Sequence, residues 1–156
     1  MNGQAQPDTL QDVIGYRFHD AQILESALAS RAAHAGNPAG KKTCTEPLAT
    51  VGDAILDAVV ACRLYEEMQA GDNGARIPAA DEIKSGWSRS FAERHSLRHY
   101  IPSPREQTLE DIWRTGKKPA GKATEAVLGA VFIDAERHGS NGFEAVKTVL
   151  AGLGYY

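Results

Sequence analysis

The stretch LATVGDAILDAVV, residues 48–60, constrains the fold more than any other part of the chain. Leu48, Val51, Ile55, Val59 and Cys62 recur with helical spacing, so a long helix is expected over 46–68. Two aspartates interrupt the apolar pattern. A carboxylate withdrawn from water without a partner costs several kcal/mol, so Asp53, directly after Gly52, needs either a partner or a chemical task. On a helix that advances about 100° per residue, Glu46, Asp53 and Asp57 lie within about 40° of one another, on the face opposite Val51. One helix therefore carries a stripe of carboxylates.

The rest of the chain reads as helices and their breaks. Asp20 precedes AQILESALAS as an N-cap, with Ile23, Ala27 and Leu28 on one face and an end before the Gly36, Pro38, Gly40 cluster. A second helix is expected from Ala79 to Ser96, broken afterwards by Pro102 and Pro104 in HYIPSPRE. TGKKPAGK reads as a loop, and the last helices are expected over 122–137 and 141–151. No alternating pattern is long enough for a strand, so the fold class is all-α. A chain of 156 residues suits one domain with its own core. The expected division is a flexible segment at 1–12 and a single domain over 13–156.

Charge and cysteine usage narrow the setting. The net charge of −3 argues against a nucleic-acid partner as a sum, but its distribution does not. Lys84, Arg89, Arg94, Arg98 and Arg105 stand against the single acid Glu93, and Arg114, Lys117, Lys118 and Lys122 form a second block without acids. Either block is a solvated face or a phosphate-binding one. Cys44 and Cys62 form no metal-ligand or disulfide pattern and read as reduced packing residues, which with the plain MNGQAQPD start points to a cytoplasmic chain. No apolar run reaches membrane-spanning length. His95 and His99 have zinc-ligand spacing but no further ligand beside them, and Trp87 next to Arg89 reads as core rather than as a base-stacking platform.

A second acid in an apolar setting is Glu125, in KATEAVLGAVFIDA, where Gly121, Ala126, Gly129 and Ala130 permit close helix approach. If Gly52 and Gly129 mark the contact of the two helices, Asp53 faces Glu125. Two carboxylates about 4 Å apart repel by about 4 kcal/mol at an effective dielectric near 20, so a cation or a shared proton is expected between them. Hard oxygen ligands of this kind suit magnesium.

EPLATVGDAILD and KATEAVLGAVFID together resemble the two signature helices of the ribonuclease III endonuclease domain. IGYRFHDAQILESALASR and SFAERHSLRHYI are similar to that family's N-terminal and middle helices, in the same order. The resemblance implies an all-α domain that dimerises and cleaves double-stranded RNA with magnesium, or with manganese in its place. It implies Asp53 and Glu125 as catalytic metal ligands. The family's other two acid positions hold Ala49 and Lys122. Glu46, Asp57 and Lys122 are expected behind the ligands or at a dimer interface, and Lys84, Arg89, Arg114, Lys117 and Lys118 on the RNA. With no length left for a double-stranded-RNA-binding domain, and with RTGKK at 114–118, the chain is similar to the short Mini-III branch. The departures at Ala49 and Lys122 leave a second expectation open: a catalytically inactive member that binds structured RNA or ribosomes.

Overall fold

In the computed structural model, which describes residues 10–28, 45–71, 80–94 and 119–156, six α-helices and no strand are found among the described residues. They are α1 (Leu10–Ile14), α2 (Ala21–Leu28), α3 (Thr45–Gln69), α4 (Ala80–Arg94), α5 (Pro119–Arg137) and α6 (Gly142–Gly152). The all-α class is as expected.

α5 runs through the middle. Ala126, Val127, Leu128, Ala130 and Val131 are all fully buried, because α2, α3, α4 and α6 each pack on this helix. A helix buried on most of its circumference is what a central position selects, and among its described residues only positions such as Lys122 and Glu136 reach solvent. Its most extensive partner is α3, which contributes Leu48, Ala49, Leu56 and Val59 to the shared core.

Two boundaries differ from the expectation. α5 begins at Pro119, inside the stretch read as a loop, because proline's fixed φ and missing N–H suit a first helical turn. The packed unit begins by Leu10 rather than at residue 13: Leu10 and Ile14 are buried on a helix of five residues, too short for periodicity to reveal. Gly15, at φ 67°, turns the chain after it. Asp20 caps α2 as expected, its Oδ1 accepting the Gln22 N–H at 3.0 Å. Asn141 caps α6 in the same way.

One buried acid holds the N-terminal elements to α5. Asp134 has 0% exposure. Its Oδ2 accepts from the Tyr16 hydroxyl (2.9 Å) and the His19 N–H (3.0 Å), with the His19 ring Nδ1 at 3.2 Å, and its Oδ1 accepts the Asp20 N–H (3.0 Å). The His19 ring stacks on that of His138 at 4.3 Å. Burial alone would push the Asp134 carboxyl up, but the donated bonds from His19, Asp20 and Tyr16 outweigh it and hold it below the usual carboxylate range. Burial and the bond to Asp134 push the Tyr16 hydroxyl up.

A carboxyl depressed in the folded state stabilises the fold above its unfolded value, and that stabilisation is lost as pH falls through the folded one. Acid unfolding followed by circular dichroism should therefore show a stability loss beginning near pH 4 and deepening below it. Asp134→Asn should cost on the order of 3 kcal/mol at neutral pH, since its amide group turns donors toward donors, and should flatten the acid limb.

Candidate functional site

Three helices converge on Asp53. α3 and α5 cross in near backbone contact: a Cβ placed on Gly52 would lie 1.7 Å from the Glu125 carbonyl oxygen, and one on Gly129 would lie 2.0 Å from the Leu48 carbonyl oxygen. Only glycine allows this approach, and it sets the residue after Gly52, which is Asp53, beside Glu125. α4 is fixed to α5 next door by the buried Thr124 hydroxyl, which donates to the Ser88 carbonyl at 3.3 Å.

The third helix supplies a cation. Lys84 Nζ lies 2.7 Å from Asp53 Oδ1 and 2.6 Å from Asp57 Oδ1, and its side chain is only 19% exposed. Lys84 was expected among the RNA-facing basic residues; its ammonium is instead turned onto the acids. The reason lies in its register. Trp87, Ser88 and Phe91, three, four and seven residues on, all face the core, so Lys84 shares the inward side of α4 and extends its stem along it. Burial disfavours the charged lysine, yet the two carboxylates outweigh it and hold the ammonium well above its ordinary pKa.

Glu125 is half-buried. Desolvation pushes its carboxyl up, the Asp53 charge adds to this, and Lys84 and Lys122 oppose both without cancelling them. Glu125 therefore sits where burial and the neighbouring Asp53 both disfavour its charged form, and a divalent cation beside the two carboxylates would relieve that. Ala49, at the place of one absent acid, is buried and offers no ligand. Lys122, at the other, is exposed, and the ammonium that reaches Asp53 is that of Lys84. Both carboxylates are hard oxygen donors brought to one helix crossing, the kind of donor that suits a single divalent ion.

The remaining expected residues separate. Asp57 joins the cluster through Lys84. Arg89 is exposed on α4. Glu46 lies in the first turn of α3 with its side chain outside the described residues, as do Arg114, Lys117, Lys118, His95, His99 and Cys44. Trp87 packs at the core edge as expected, 6.0 Å from the Tyr155 ring and with the Arg63 guanidinium 5.5 Å from its centroid. Cys62 is an exposed free thiol rather than a packing residue.

No family model matches the chain. It is 31% identical over 148 residues to the ribonuclease 3 of Bordetella avium, an alignment covering 91% of this chain and 51% of that protein. Its fold is similar to the nuclease domain of ribonuclease III from Campylobacter jejuni, known from a 2.2 Å crystal structure, with a TM-score of 0.65 at 26% identity over 92% of this chain and 90% of that one. A second structure of that domain, concerned with flexibility in a region involved in dimer formation, gives a TM-score of 0.64 at 26% identity and covers 92% of each chain. The chain belongs to the ribonuclease III family through its nuclease domain. It spans about half the length of the curated relatives it matches.

Proposed function

We propose that the protein is a divalent-metal-dependent endoribonuclease that cleaves double-stranded or structured RNA. The observation that supports this reading is the meeting of Asp53 and Glu125 across the Gly52–Gly129 contact, where the Asp53 charge acts on the Glu125 carboxyl. Magnesium, or manganese in its place, would be held by these two carboxylates; when bound it would acidify a water molecule and offset charge on the phosphodiester. Asp53 and Glu125 would hold that ion, and Lys84 fixes the Asp53 carboxylate by donating to its Oδ1. Arg89, with Arg114, Lys117 and Lys118, engages the RNA backbone in a salt-sensitive way. Long double-stranded RNA incubated with the protein and magnesium, manganese or chelator tests the reading: fragments should accumulate with either metal and not with chelator.

A second reading has its own support. Ala49 and Lys122 remove two acids and Lys84 neutralises part of what remains, which suits a member that binds structured RNA or ribosomes without cleaving it. Duplex RNA bound but intact under every metal would select it.

The working unit in this proposal is a homodimer. Along the outward side of α3, Ala54, Ala58, Ala61, Tyr65 and Met68 repeat at helical spacing, with Tyr65 64% and Met68 65% exposed. A contiguous apolar stripe of this kind is rarely left in water. Light scattering at micromolar concentration should give twice the chain mass, and Ala58→Arg, which puts a charge in the middle of the stripe, should give a monomer. Wild type that is monomeric throughout would refute the dimer. Among the described residues no helix is long and apolar enough to cross a membrane, and a cytoplasmic setting is part of this proposal.

A further inference from the structure

We propose that Lys84 is the built-in cation of this site: its ammonium holds the position between Asp53 and Asp57 that a second divalent ion would otherwise take. The inference deepens the metal reading above and rests on it for the first ion, at Asp53 and Glu125. Asp53 and Asp57 stand one turn apart on α3, a spacing that brings two carboxylates to a common point. At that point is a nitrogen, 2.7 Å from one carboxylate and 2.6 Å from the other. These are the distances of charge-assisted hydrogen bonds, and the cation they hold is one the chain supplies itself. The lysine is delivered by architecture rather than by a loose surface rotamer. Its helix is held by Trp87 and Phe91 in the core and by the Thr124–Ser88 bond to α5.

The arrangement follows from charge. Asp53, Asp57 and Glu125 bring three negative charges together, and Ala49 adds none. The Lys84 ammonium and, more weakly, that of Lys122 already offset part of those three charges, so one divalent ion more than balances the remainder and two would exceed it further. An ammonium has three donors, of which two are spent on Asp53 and Asp57, so the third is left for an oxygen of a bound phosphate. Lys84 is thus a positioning residue for Asp53 as well as a fixed charge beside the metal.

Titration with manganese alone, followed by electron paramagnetic resonance and calorimetry, reads the site without RNA or turnover. Wild type and Lys84→Arg should bind one manganese per chain. Lys84→Met, of similar length but neutral, should bind two, or bind one at least tenfold more tightly; Lys84→Gln serves if the methionine variant fails to fold by circular dichroism. A neutral variant that binds no more and no tighter than wild type overturns the proposal. The metal reading fails separately: Asp53→Asn and Glu125→Gln that keep wild-type binding would overturn it, whatever Lys84 does. Wild type binding no manganese while Lys84→Met binds one would uphold Lys84 as the resident cation and overturn the one-metal reading.

Discussion

Gly52→Ala should destabilise the protein by about 3 kcal/mol or more, lowering its melting temperature by roughly 10 °C, because the added methyl meets backbone and not side chain. Its Cβ would sit 1.7 Å from the Glu125 carbonyl oxygen, 2.5 Å from its carbon and 2.9 Å from the Gly129 nitrogen. No rotamer change relieves such a contact; α3 and α5 must move apart, and the fully buried Val127, Leu128 and Val131 move with α5. The intrinsic gain of alanine over glycine in a helix, about 1 kcal/mol, has the opposite sign and is the smaller effect. Gly86→Ala is the control. Nothing lies within 4 Å of its Cβ, so the same substitution on α4 should raise stability by a few tenths to about 1 kcal/mol. Chemical denaturation of both variants measures the contrast, and equal behaviour would mean that the α3–α5 approach is not tight.

The same crossing explains what the sequence disclosed. Small residues on two apolar helices signalled a close approach, and close approach fixes which neighbours meet, so Asp53 and Glu125 were legible as a pair. Three things were not. Lys84 was grouped by its basic neighbours in sequence, whereas its position is decided by sharing a helix face with Trp87, Ser88 and Phe91, a pattern that was present in the residues. Asp134 lies in line with Ala123, Val127, Ala130 and Val131 on α5, and is buried because four donors from the α1–α2 segment meet it. No local pattern announces donors that distant in sequence. Cys62 was read as a packing residue because it continues the apolar series of α3, and it is exposed. Periodicity cannot tell a face that meets the chain's own core from one left for a second molecule.

Asp53→Asn should then abolish cleavage of double-stranded RNA, by at least about a hundredfold, while leaving RNA binding intact or tighter. Groups that merely support a metal ligand contribute about 10- to 100-fold, so a direct ligand should contribute no less. Asparagine keeps the shape and offers a neutral oxygen, a poor ligand for a cation that gives up water reluctantly. It also removes a negative charge that faces the incoming phosphates, so affinity should not fall. With only Asp53 and Glu125 as carboxylate ligands, wild-type activity should need millimolar metal and rise with manganese, which binds such sites more tightly. Lys122→Asp should act in the opposite direction: it returns an acid one turn from Glu125, removes a charge that opposes metal binding, and should create or raise metal-dependent cleavage. If wild type cleaves nothing under any metal, and Asp53→Asn only lowers the melting temperature by breaking the bond to Lys84, then Asp53 is a structural partner of that lysine and the nuclease reading falls.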